Sequence, residues 1–194
     1  MLSTTPLFGD EVTASLPAVA ALRIAVFREY PYLYDGTLAY EEEYLAGYAA
    51  SPQSLVVVAR DGETVVGAAT AMPLALNEEA AVPLVAAGYD PASVYYFGES
   101  VLLPAYRGRG IGHQFFDHRE AAARRFGFSL AAFCAVVRPE DHPARPAGYT
   151  PHDAFWTKRG FARRPELVAH FRWREVGDVE ETSKPLVFWT KELT

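Results

Sequence analysis

A chain of 194 residues, 50% hydrophobic and 22% charged, suits one compact domain spanning 1–194 that can bury a core. It has no apolar run near the ~20 residues that cross a bilayer and no signal-peptide pattern over Met1–Asp10; its one cysteine, Cys134, excludes an internal disulfide and a cysteine-rich zinc site. A net charge of −6 argues against nucleic acid as the main partner, so a cytoplasmic protein with neither nucleic-acid nor membrane partner is expected.

Phe8–Thr13 reads as a first strand. Leu16–Tyr30 reads as a helix, because Leu16, Val19, Ala20, Ile24 and Phe27 recur at helical spacing; Ser15 suits its N-cap and Pro17 its first turn. Pro31 and Asp35-Gly36 break the pattern. Thr37 can cap a second helix over Leu38–Ala50, with Glu41, Glu42 and Glu43 near the positive end of its dipole. Ser54–Arg60 and Thr64–Met72 form a hairpin around Asp61-Gly62. The Ala-rich stretch 75–91 is a helical or irregular insertion. Val94–Leu103 is a long strand rich in Val, Tyr and Phe, ended by Pro104.

A helix from about Gly110 to Phe126 follows. At 100° per residue, Ile111, Phe115, Phe116, Ala122, Ala123 and Phe126 share a face, and His113, Asp117, Glu120 and Arg124 lie opposite; Gly127 stops it. Leu130–Val137 is a continuous apolar run, as for a strand covered on both faces. A proline-rich loop, Arg138–Pro151, leads to a short helix over His152–Arg159, and Val168–Glu175 and Pro185–Lys191 are the last strands. A strand, crossover helix and strand over 94–137 imply a parallel pair, whereas the hairpins imply antiparallel ones. The fold class is therefore α/β (α+β), with a mixed sheet of about seven strands flanked by helices.

Between the strand ending at Leu103 and the next helix lies Arg107-Gly108-Arg109-Gly110-Ile111-Gly112. Glycines let the backbone approach a ligand, and the first helical N–H groups point outward at the positive dipole end. Phosphate or pyrophosphate is the natural guest. The ATP-binding P-loop needs Gly-Lys-Ser/Thr where this chain has Gly112-His113-Gln114. The dinucleotide fingerprint needs a third glycine where His113 stands. The pattern Gln/Arg-x-x-Gly-x-Gly/Ala is met by Arg107, Gly110 and Gly112.

On the stretch Val101 to Gly112, and on Ala154-Phe155-Trp156-Thr157-Lys158-Arg159-Gly160-Phe161, the chain resembles the GNAT family of acetyl-CoA-dependent N-acyltransferases. The resemblance implies a mostly antiparallel sheet with a splayed parallel pair, and acetyl-CoA as cosubstrate lying between the strands at 94–103 and 129–137. It implies that backbone amides of Arg109–His113 hold the pyrophosphate and that main-chain groups of Val101, Leu102 and Leu103 meet the pantetheine arm. An amine then attacks the thioester directly. A non-catalytic acyl-CoA sensor and a transferase using a longer acyl-CoA are the alternatives.

The chemistry asks for a base for the ammonium and a proton for the departing thiolate. Glu99, which strict alternation places on one face with Tyr95, Phe97 and Val101, is the candidate base. Many relatives place a tyrosine acid on the late helix where this chain has Trp156, whose indole cannot deliver a proton; Trp156 is then expected to shape the donor pocket, and Tyr149 is the substitute acid. Cys134 reads as an inert buried thiol. His142 and His152 flank the proline-rich loop, His113 and His118 sit on the cofactor helix, and no spacing resembles a metal site.

In relatives the connection after the first helix lines the acceptor site, which points to Phe27, Glu29, Tyr30, Tyr32 and Tyr34. Residues 1–100 carry 13 acidic and 3 basic side chains, and residues 101–194 carry 11 and 15, or about −10 and +4. Glu29, Asp35, Glu41, Glu42 and Glu43 then suggest a negative rim for a small cationic amine; the alternative is that they only solvate helix surfaces. A homodimer is left open.

Overall fold

The structure, a computed structural model, describes residues 1–193. Its seven strands form one sheet in the order β1-β2-β3-β4-β5-β7-β6. They are β1 (Leu2–Leu7), β2 (Leu55–Asp61), β3 (Thr64–Pro73), β4 (Val94–Leu102), β5 (Leu130–Val136), β6 (Ala162–Arg174) and β7 (Glu181–Glu192). β4 and β5 are parallel and every other pair is antiparallel. The helices are α1 (Asp10–Phe27), α2 (Leu38–Ala49), α3 (Glu78–Ala86), α4 (Ile111–Arg125) and α5 (Asp153–Lys158).

The N-terminal boundary differs from the sequence reading. The first strand is Leu2–Leu7, not Phe8–Thr13, and it lies at the sheet edge, where Pro6 withdraws no donor from a central ladder. α1 begins at Asp10 rather than Leu16. Gly9 caps it at φ 56°, and Asp10 and Glu11 occupy its first turn, where acidic groups suit the dipole. Ser15 is inside the helix and donates to the Val12 carbonyl at 2.7 Å; Pro17 is internal too. Thr37 does cap α2, accepting from the Tyr40 amide.

The 75–91 stretch contains a true helix. Asn77 accepts from the Ala80 amide at 3.0 Å, and Ala80 and Leu84 pack into a cluster with Tyr96, Trp173 and Phe188. β6 starts six residues earlier than expected: Pro165 and its charged neighbours hide it, and a bulge between Arg164 and Val168 absorbs the interruption. α4 covers one face of the central strands through Ile111, Phe115 and Phe116, while α1 and α2 cover the other. Glu120 of α4 is buried instead of facing solvent. Arg159 at 2.8 Å and Lys191 at 2.8 Å neutralise it.

Candidate active site

β4 and β5 pair only at Val94, Tyr95 and Tyr96 with Leu130, Ala131 and Ala132. Beyond Tyr96 the two strands part, and the opening lies beside the N-terminus of α4. The loop enters that helix through Gly108 at φ 75° and Gly110 at φ 81°, backbone positions that a side chain disfavours. The amides of His113 and Gln114 return to the Gly110 carbonyl, which leaves Ile111 and Gly112 as the outward first-turn donors. No acidic residue stands in that turn. A Cβ at Gly110 would meet nothing within 4 Å, and one at Gly112 would touch the Phe155 ring at 3.5 Å. These features fit a pyrophosphate.

The three residues at the end of β4 differ in what they can offer a linear ligand. Leu103 is committed: its amide donates to Val66 at 3.0 Å and its carbonyl accepts from Tyr106 at 2.9 Å. By alternation Val101 also turns its main-chain groups toward β3, and only Leu102 faces the opening. The Leu102 carbonyl accepts from Arg107 Nε at 3.1 Å, so its amide is the group left for a pantetheine carbonyl.

One extra residue on β4 decides where Glu99 points. Ala69 pairs with Ser100 and Ala71 with Phe97, so Gly98 and Glu99 together oppose Thr70. This bulge reverses the expected alternation. Tyr95 and Phe97 pack toward α4, whereas Glu99 and Val101 face α1 and α2. Gly98 is required here, because a Cβ would lie 2.1 Å from the Tyr48 hydroxyl. The Glu99 amide donates to Thr70 Oγ1 at 3.2 Å. From the α4 side, Arg119 donates to the Glu99 carbonyl at 3.3 Å and to Ser100 Oγ at 2.8 Å, with its guanidinium 4.6 Å from the rings of both Phe97 and Phe116.

The Glu99 carboxylate is buried. Arg23 reaches Oε2 at 2.7 Å and the Tyr44 hydroxyl donates to it at 3.4 Å, while Oε1 has no protein partner. Arg23 is shared with Glu41 and lies 4.2 Å over the Tyr44 ring. Burial pushes the Glu99 carboxyl above its ordinary range; Arg23 pulls it down and Glu41 pushes it up. Arg23, Tyr44 and Arg119 escaped the sequence reading as site residues, and Glu41, expected at the rim, is buried on Arg23. Arg23 had a signal, since it lies four residues after Val19 and four before Phe27 on the buried stripe of α1.

The aromatic connection divides. Phe27, Tyr32 and Tyr34 line a chamber that reaches Glu99, together with Tyr40, Tyr44, Tyr96 and Trp173. Arg138 and Trp173 hold the turn by donating to the Pro31 and Tyr32 carbonyls. Glu29 instead pairs with Arg107 at 2.9 Å. Tyr30 packs edge-on against Tyr149 at 4.7 Å and near His142 at 5.6 Å, outside the chamber lining. The negative rim is also corrected. Asp35 pairs with Arg28 and Arg174, Glu41 is buried on Arg23, and of the exposed members Glu29 is paired with Arg107 while Glu42 and Glu43 lie on the outside of α2.

Trp156 packs against Phe133 at 5.0 Å and Trp189 at 5.2 Å, so it bears on β5 where that strand leaves β4. Cys134 is buried, 3.3 Å from the Tyr96 hydroxyl, and burial pushes its thiol up to about 12. His113 meets Phe155, His118 meets Thr4, and His152 lies against Trp156, its imidazole held below the usual range by burial and by Arg107. Among the described residues no group of His, Cys, Asp and Glu could hold a metal, and no helix is long and apolar enough to cross a membrane.

A mixed sheet opened at its one parallel pair, with a glycine-capped helix aimed into the opening, defines an acyl-CoA-type transferase. The family model described as Acetyltransferase (GNAT) family matches residues 20–161, and the chain belongs to that family; it is an acetyltransferase, and the family uses acetyl-CoA. No curated protein matches the chain at a significant level. Solved structures of similar fold include the Salmonella typhimurium yncA protein with its cofactor acetyl-CoA, at 18% identity and TM-score 0.57 over 99% of this chain and 95% of that one. The ribosomal-protein-alanine N-acetyltransferase of Brucella melitensis is similar at 17% identity and TM-score 0.62, over 97% and 99%. An N-acetyltransferase of Staphylococcus aureus Mu50 is similar at 12% identity and TM-score 0.60, over 99% of both chains.

Proposed function

We propose that the protein moves an acetyl group from acetyl-CoA to the primary amine of a small cationic acceptor by direct attack, with Glu99 as general base. Acetyl-CoA supplies an activated thioester. The Ile111 and Gly112 amides at the α4 N-terminus hold the pyrophosphate, and the Leu102 amide aligns the pantetheine arm. Glu99 Oε1 takes a proton from the bound ammonium. The amine nitrogen then bonds to the acetyl carbon and gives its second proton to water, the carbon–sulfur bond breaks, and the thiolate takes its proton from water. A thiol of pKa about 8.5 leaves readily enough for that. Tyr149 is left out of the reaction: burial raises its pKa and its ring is spent on Tyr30.

The observation that carries this reading is Glu99 Oε1, buried without a partner on the chamber wall beside the opened strands. Two carboxylates share one guanidinium there, so the attraction for a cation lies inside the chamber and not at its rim. Buried charges are screened far less than exposed ones. Thiol release with acetyl-CoA and a panel of amines is therefore expected to favour cationic amines over anionic ones, with little change in kcat/KM as salt rises. CoA binding without thiol release from any amine would assign an acyl-CoA-binding role instead. Acetyl-, propionyl- and succinyl-CoA compared side by side set the acyl range.

Trp156 shapes the donor side of this site. Trp156→Phe is expected to raise the KM for acetyl-CoA about fivefold through lost ring contact, roughly 1 kcal/mol. The pH–rate profile should keep all its limbs. Loss of a limb in that variant would make Trp156 part of proton transfer.

A further inference from the structure

The chamber in front of Glu99 also describes the body of its guest. Its walls include the rings of Phe27, Tyr32, Tyr40, Tyr44, Tyr96 and Trp173, with Arg23, Asn77, Glu79 and Arg172 as the polar lining beside Glu99. Phe27 and Tyr32 lie 4.5 Å apart, Tyr32 and Trp173 5.9 Å, and the Tyr40 and Tyr44 planes are within 8° of parallel at 6.5 Å. Three of their polar ends are committed. Tyr44 donates to Glu99, Tyr96 pairs with Cys134, and Trp173 Nε1 donates to the Tyr32 carbonyl. Two buried oxygens on these walls lack a partner, Glu99 Oε1 and the Tyr34 hydroxyl; burial and the nearby Glu41 keep the latter protonated. One carboxylate oxygen therefore faces a set of aromatic surfaces.

Three classes of small amine can be ranked against this lining. A polyamine needs a second anion at depth, and the only other acid on the wall, Glu79, is exposed. An amino sugar brings several hydroxyls against walls that are mostly aromatic faces, and each hydroxyl left unpaired there costs about 1–3 kcal/mol. An aromatic body on a short arm satisfies both demands, its ring against the walls and its ammonium on Glu99.

We propose that the acceptor is an arylalkylamine, a primary amine on a short flexible arm bearing an aromatic ring. This rests on the reading of Glu99 as base for the acceptor ammonium. The ring lies among Phe27, Tyr32, Tyr44 and Trp173, and Tyr40 closes the outer end.

Thiol release with acetyl-CoA and 2-phenylethylamine, n-butylamine, spermidine and glucosamine tests the class. The expected kcat/KM for 2-phenylethylamine exceeds each of the others by about tenfold or more. Tyr40→Ala should lower the ratio of 2-phenylethylamine to n-butylamine about fivefold. Tyr40 is 42% exposed, so the fold should tolerate the change. Calorimetry of 2-phenylethylamine with CoA-saturated protein reads binding independently of turnover and should show saturable heat. Spermidine or glucosamine used as well as 2-phenylethylamine, or no binding of 2-phenylethylamine at millimolar concentration, overturns the proposal. If Glu99→Gln slows every amine and spermidine is preferred, the acceptor class alone falls. If Glu99→Gln changes nothing, the base reading falls.

Discussion

Gly110→Asp is expected to weaken CoA binding about 100-fold and leave the protein folded. The substitution places a carboxylate at the cap of α4, beside the first-turn amides. A Cβ there meets nothing within 4 Å, and an acidic group at a helix N-terminus favours the helix by a few tenths to 1 kcal/mol. Asp also enters the left-handed region more readily than most residues. The loss therefore comes from charge. Two unit charges about 4 Å apart repel by about 4 kcal/mol at an effective dielectric of 20, and solvent at this exposed loop reduces that to roughly 2–3 kcal/mol. Gly110→Asn has nearly the same shape without the charge and should lose far less affinity. Calorimetric titration with CoA, beside a thermal scan of each variant, measures both effects. Unchanged affinity in a folded Gly110→Asp protein would remove the phosphate cradle from this loop.

Some of this site was legible before any coordinates because its signals are local. Gly110 at a left-handed cap, Pro104 ending β4, and Asp61-Gly62 in the β2–β3 hairpin each constrain a few neighbouring torsions. The run of apolar residues at β5 needs only its own composition to suggest burial on both faces. Those pieces imply the parallel pair and the glycine loop, whereas the splay of that pair came with the family resemblance.

Other parts depend on partners far away in the chain. Glu120 looks like a solvent-facing residue on α4 until Arg159 and Lys191 arrive from 39 and 71 residues away. Glu41 looks like a helix-start acid until Arg23 is placed beside it. Glu99 shows the most consequential case. Strict alternation puts it against α4, and a single inserted residue at Gly98 turns it to the opposite face. Gly98 was the available signal, since glycine inside a strand often marks a bulge. The α1 start was missed for a related reason. Pro17 imitates a first-turn proline, while the true cap, Gly9, has no side chain to advertise it.

Glu99→Gln should lower kcat/KM about 100-fold near neutral pH, within the range of a lost general base, and leave CoA affinity unchanged. The two side chains have nearly the same shape. Gln keeps an oxygen toward Arg23 and leaves the Arg23–Glu41 pair intact, so the buried cluster loses one negative charge and no packing. The sign of the pH effect follows from the environment. Burial raises the Glu99 carboxyl more than Arg23 lowers it, and a base works only when deprotonated. The acidic limb of the wild-type kcat/KM profile should therefore lie above the usual carboxylate range, with activity rising through it as pH rises. Gln does not titrate, so that limb should vanish. The deficit should also shrink as pH approaches the ammonium pKa of the acceptor, about 10 by analogy with lysine, because neutral amine then reaches the site without surrendering a proton there. A pH series of initial rates at subsaturating acceptor reads both features. A variant that keeps the wild-type limb would leave Glu99 as a structural partner of Arg23 and move the base elsewhere in the chamber.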